Sequence, residues 1–128
     1  MIGLYHVNFH TARNRQVFLD DAIAESIKAI LREVMRAHRV VCLALAVMPT
    51  HVHLILVDFP DLDRGKAVQL VKGASAHRFL EQHPAFREDL GGHLWQEGYS
   101  WRQIVTHRQF VETVAYIRQN RGKAGLAE

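Results

Sequence analysis

The sequence predicts an α+β domain of ferredoxin-like type, an antiparallel sheet with packed helices in the order βαββαβα. Three observations predict it. Residues 40 to 48 and 51 to 57 are two apolar runs separated only by the break Met48-Pro49-Thr50, as in a hairpin. Residues 4 to 10 alternate in character as a strand does. From Asp20 onward, Ile23, Ile27, Ile30, Leu31 and Val34 recur at helical spacing.

The elements follow in order. After the first strand, residues 11 to 16 form a polar turn that carries Arg13 and Arg15. Asp20 or Asp21 is placed to cap a long amphipathic helix running to about His38. The two apolar runs then read as a hairpin at the sheet centre. Phe59-Pro60-Asp61-Leu62-Asp63 is a turn, and Val68, Leu70, Val71, Ala74 and Phe79 mark a second helix to about Gln82, decorated by Lys66, Lys72, His77 and Arg78. Residues 83 to 93 read as a loop, and residues 94 to 105 as two short aromatic segments around Glu97-Gly98, with Trp95, Tyr99 and Trp101 on that edge. Residues 107 to about 120 form the last helix, followed by a polar tail with Gly122 and Gly125.

A chain of 128 residues fits a single domain spanning 1–128. Its 48% hydrophobic and 23% charged residues exclude a disordered tail. No apolar run approaches the roughly 20 residues of a bilayer span, so a cytoplasmic protein with no membrane partner is expected. The single cysteine, Cys42, sits among apolar neighbours and reads as a small packing residue. A net charge of +3 favours an anionic partner, weakly.

Nine histidines are more informative, because only some are arranged. His51 and His53 lie two apart in a strand, so both imidazoles leave the same face and can chelate one ion. On spacing alone, however, such a pair is as ordinary as any two polar side chains. His6, His10, His77, His93 and His107 show no comparable spacing and receive no role here. In the last helix, Phe110, Val114 and Ile117 form an apolar stripe with Val111 at its flank, and Tyr116 projects about 140° away from it. Asn120 stands one turn beyond Tyr116. A surface tyrosine with its hydroxyl in water is the common explanation for such a placement. Beside a metal, the same phenol is placed as a nucleophile.

The run Val47-Met48-Pro49-Thr50-His51-Val52-His53-Leu54-Ile55-Leu56 resembles the HUH signature of single-strand-specific transposases. Four further stretches resemble REP-associated tyrosine transposases in order and spacing. They are Tyr5-His6-Val7, Val71-Lys72-Gly73, Trp95-Gln96-Glu97-Gly98-Tyr99, and Tyr116-Ile117-Arg118-Gln119-Asn120 with Ala124-Gly125-Leu126. The likeness covers nearly the whole chain. It departs after Asn120, where the family usually continues with proline, valine and arginine and this chain has Arg121-Gly122-Lys123.

The resemblance implies a transposase that cuts and rejoins single-stranded DNA through a 5′-phosphotyrosine at Tyr116. It implies a divalent metal, Mg2+ or Mn2+, held by His51, His53 and Asn120. It also implies a DNA partner carrying a hairpin with an adjacent guide sequence, and leaves monomer and homodimer both open. Arg13, Arg15, Lys72, Arg78, Arg118 and Lys123 are candidate phosphate contacts, and Trp95, Tyr99 and Trp101 candidate base-stacking residues, with core packing the competing explanation for each tryptophan. Two rivals remain: a domesticated module that binds single-stranded DNA without cleaving it, and a metal-dependent hydrolase in which the histidines act on water.

Overall fold

The computed structural model describes residues 2–123, with side chains through Arg121. Strand β1 is Gly3–His10, followed by a short 3-10 turn at Ala12–Asn14 and helix α1, Asp21–Ala37. Strands β2, Cys42–Val47, and β3, His51–Asp58, come next, then α2, Arg64–Gln82, and a short α3, Ala85–Asp89. Strand β4, Ser100–Ile104, and helix α4, His107–Lys123, complete the order. The sheet runs β2-β3-β1-β4 with every neighbouring pair antiparallel. This is the expected ferredoxin-like arrangement of four strands and two helices, with α4 added.

Polar side chains set the helix starts. Asp20 accepts from the Ile23 amide at 3.1 Å and Asp63 from the Lys66 amide at 2.9 Å, satisfying N–H groups that no helical carbonyl reaches. Helix α4 opens with a capping box. The Thr106 hydroxyl accepts from the Gln109 amide at 3.1 Å, while Gln109 Oε1 accepts from the amides of Thr106 and Val105 at 3.0 and 2.8 Å.

The two faces of the sheet bury very different amounts. On one face, Val7 and Phe9 of β1 and Val52, Leu54 and Leu56 of β3 pack with Ile27, Leu31 and Val34 of α1 and Val68, Val71 and Phe79 of α2. At about 1.5–3 kcal/mol for each fully buried large apolar side chain, this cluster dominates the stability of the fold. Among the described residues, the buried apolar side chains of the other face are Ala46, Ile55 and Ile104 with Ile117 of α4, flanked by Leu4, Ala44, Phe110 and Val114. Helix α4 therefore covers half of that face, and the half bearing the histidines stays open.

Four expectations change. The hairpin forms, but only β3 is central; β1 occupies its other side, leaving β2 at the edge. The expected loop at residues 83 to 93 contains α3, which starts directly after Pro84, a residue whose fixed φ suits a helix entry. The two aromatic segments reduce to one strand, β4, plus a single bridge between Thr11 and Trp95. Lys72 Nζ donates to the carbonyls of Gln96 and Gly98 at 2.7 and 2.6 Å, which fastens this segment to α2 as a loop. Val111 is 50% exposed; the inward line of α4 is Thr113, Ile117 and Arg121.

Trp95 belongs to the core. It is 7% exposed, meets Phe9 edge-on at 4.6 Å and Phe18 at 5.6 Å, and its indole N–H donates to Ser75 Oγ at 3.0 Å. Its ring is thus unavailable for stacking on a base, because the large core on this side needs its volume. Trp95→Ala is expected to lower the unfolding free energy by about 3–5 kcal/mol in denaturant titration, whereas Trp101→Ala, at a half-exposed ring, changes it far less.

Candidate active site

The site is built on the open half of the sheet. The register places His10 opposite His51 and Asn8 opposite His53, and His6 follows two residues away on the same face. The turn before His51 is closed by the Met48 amide donating to the His51 carbonyl at 2.8 Å. It is held from outside by the amides of Thr11 and Phe18, which donate to the Thr50 and Pro49 carbonyls at 2.8 and 3.1 Å. The expectation that His51 and His53 share a face is met, and the face carries two more histidines than spacing within one strand revealed.

Four imidazoles form one cluster. His51 Nε2 and His53 Nε2 are 3.2 Å apart, His6 Nε2 lies 3.0 Å from His53 Nδ1, and His51 Nδ1 lies 3.0 Å from Thr50 Oγ1. The His10 ring stacks on His51 at 4.7 Å. Burial lowers the pKa of His53 to about 3, with His51, His6 and His10 adding charge repulsion. Burial also lowers those of His51, next to His10, and His6, next to Arg102. Near neutral pH these three rings are uncharged, the form that ligates metal.

The donor geometry fits a cation. With His51 donating Nδ1–H to Thr50 Oγ1 and His53 donating Nδ1–H to His6 Nε2, both Nε2 lone pairs are left free, 3.2 Å apart. Two ligands at metal–nitrogen distances near 2.1 Å and angles of 90–109° sit about 3.0–3.4 Å apart, which brackets the observed separation. Among the described residues no group of three His, Cys, Asp or Glu side chains is placed to hold an ion, so a third donor of another type is needed. Asn120 is half-buried one turn after Tyr116, and Asn8 is half-buried opposite His53.

Tyr116 reaches this cluster from α4. Its ring centroid is 5.6 Å from that of His53 and 6.3 Å from that of His6, and the residue is 50% exposed. A cleft of about 680 Å³ opens beside it, walled by His6, Asn8 and His53 of the sheet, Arg102 of β4, and Gln109 and Glu112 of α4. A phenol, the imidazoles of His6 and His53 and one guanidinium line this cleft, a set of groups that can bind a phosphodiester and attack it.

The other candidate residues are scattered. Arg13 donates to the Asp89 carbonyl at 3.3 Å, and Arg78 pairs with Glu33 at 3.5 Å. Lys72 is committed to its two carbonyls, and burial lowers its pKa although Glu97 opposes this. Tyr99 is half-buried, and its hydroxyl accepts from Arg64 Nε at 3.3 Å. Arg15 is exposed near the 3-10 turn, and Arg118 lines a groove along the outer edge of β2 with Lys28, Arg32 and Arg36. The side chain of Lys123 and the stretch Ala124-Gly125-Leu126 lie outside the described residues. Sequence reading missed His6, His10, Asn8 and Arg102; the alternation in β1, with Tyr5, Val7 and Phe9 on one face, was the available signal for the first three.

Comparison with known proteins gives a family and a fold. The family described as "Transposase IS200 like" matches residues 3–120. The ISDra2 transposase TnpA of Deinococcus radiodurans is 34% identical over 96 residues, covering 74% of this chain and 68% of the relative. A crystal structure of a protein assigned as a transposase from Deinococcus radiodurans R1 superposes with a TM-score of 0.74 at 31% identity, over 93% of this chain and 91% of the other. A REP-associated tyrosine transposase bound to a REP hairpin superposes with a TM-score of 0.71 at 20% identity, over 98% of this chain and 70% of the other, a likeness of fold.

The histidine cluster makes stability depend on pH. In the folded, metal-free protein the His53 pKa falls from an ordinary 6.5 to about 3, so the unfolded chain binds more protons between those values. The contribution is complete above about pH 6.5 and is lost as pH falls toward 3. With chelator present, the melting temperature is expected to drop as pH is lowered from about 7 to about 4. His53→Gln should flatten that dependence.

Proposed function

Because this chain belongs to the IS200-like transposase family, we propose that it is a transposase whose single catalytic domain nicks and rejoins single-stranded DNA through Tyr116. The observation that carries this reading is the exposed Tyr116 phenol beside His53, over the open half of the sheet.

In this reading, the Tyr116 oxygen attacks a phosphorus of the DNA strand. The new bond joins the tyrosine oxygen to phosphorus, and the bond from phosphorus to the 3′ oxygen breaks. The phenolic proton is lost to water, and the leaving oxygen takes one up to become a free 3′-hydroxyl. A 5′-phosphotyrosine remains, and attack by a different 3′-hydroxyl reverses the step and joins two strands. The phosphodiester energy is retained, so no nucleotide cofactor is required.

His51 and His53, with an amide from Asn120, would hold Mg2+ or Mn2+, which would neutralise charge developing on the phosphate. His6 acts through His53, fixing the ring so that Nε2 faces the cleft. Arg102 faces the same cleft and suits a phosphate oxygen. The exposed half of Trp101 offers a ring for stacking, with its other side covered by Arg64 at 3.7 Å. The solved relative bound to a REP hairpin supports hairpin DNA as the substrate class.

The test uses labelled single-stranded hairpins from the genomic neighbourhood, Mn2+, and denaturing gels. A protein-linked label is expected for the wild type, none for Tyr116→Phe, and a strong reduction for His51→Ala, for His53→Ala and after chelation. Hairpin binding with no adduct would favour the non-cleaving module. Cleavage without a protein adduct would favour the hydrolase.

A further inference from the structure

We propose that Arg121 is a positioning residue that seats the Tyr116 helix on the sheet beside the histidines. This rests on the reading of Tyr116 as the nucleophile. Arg121 is 6% exposed, and its guanidinium makes three contacts. Nη1 donates to the Val47 carbonyl at 2.9 Å, and Nη2 donates to the Leu19 carbonyl at 3.4 Å and meets Asp21 Oδ1 at 2.9 Å. Val47 ends β2, just before the turn that delivers His51, and Asp21 begins α1. One side chain therefore fastens the end of α4 both to the turn that presents the histidines and to the main helical layer.

The helix needs such a fastening. Its inward line is Thr113, Ile117 and Arg121; Ile117 is its one fully buried apolar side chain among the described residues, with Phe110 and Val114 partly buried beside it. Thr113 turns its hydroxyl back to the Gln109 carbonyl at 2.7 Å. The apolar contact is small; the Thr106–Gln109 capping box closes the start of the helix, and Arg121 ties its finish to β2 and α1. Tyr116 lies between them. A buried guanidinium satisfied by two carbonyls and a carboxylate is also directional, so it fixes rotation of the helix as well as its distance from the sheet.

Two measurements on the full chain test this. Without DNA, Arg121→Ala and Asp21→Asn are expected to speed amide hydrogen exchange over residues 113 to 121 by about tenfold or more, leaving β1 and β3 protected. Arg121→Lys, which keeps the ion pair and loses the fork, should fall between. With DNA, Arg121→Ala should slow single-turnover adduct formation by at least about tenfold at unchanged DNA affinity. Unchanged exchange in both variants or an unchanged adduct rate would overturn the proposal. If the wild type forms no adduct, the reading of Tyr116 fails, while the exchange data still decide whether Arg121 holds the helix.

Discussion

The antiparallel register of β1 on β3 is the constraint on which the rest of this structure depends. It brings His10 against His51 and Asn8 against His53, and leaves His6 within 3.0 Å of the His53 ring. A slip of one residue in β3 would turn His51 and His53 into the large core and push Val52, Leu54 and Leu56 into the cleft. Burial of those three side chains against α1 and α2 opposes the slip, so the apolar face of the sheet holds the polar face in register. The energy that orders the histidines is spent on the side of the sheet they do not occupy.

That division also explains why the site is open. The α1 and α2 layer supplies the main core, so the opposite face does not need to be fully covered. Helix α4 packs a small cluster around Ile117 and leaves one half of the face to solvent. An imidazole pair at ligand separation, neutral because it is partly buried, can persist there only because each outer nitrogen has its own partner, Thr50 for His51 and His6 for His53. The same thin packing leaves the Tyr116 helix dependent on polar anchors.

Much of this was legible in the residues, and what was not has physical reasons. The order of strands and helices followed from apolar periodicity and from caps such as Asp20. The side-by-side placement of His51 and His53 needed only the two-residue strand period. The outward direction of Tyr116 needed only the helical period. His6 and His10 escaped because their partners lie in another strand, and cross-strand neighbours are set by register, which periodicity within one strand does not carry. Trp95 was misassigned because an aromatic residue near Gly98 looks alike whether it folds over an edge or plugs a core; the deciding partner, Ser75, is twenty residues away on α2. Val111, at the flank of the apolar stripe, is half-exposed, and the buried line of α4 runs through Thr113, Ile117 and Arg121. The departure from the family pattern at Arg121 was visible in the sequence, and its three partners were not.

In the proposed reaction the Tyr116 oxygen and the two imidazoles act on one phosphate. The most direct measurement is peptide mass spectrometry on protein incubated with Mn2+ and single-stranded hairpin DNA, after nuclease trimming of the bound strand. The expected product is a nucleotide remnant linked through phosphate to the peptide containing Tyr116, with fragment ions placing it on that residue. A remnant on any other residue, or a cleaved strand with no linked peptide, would contradict it.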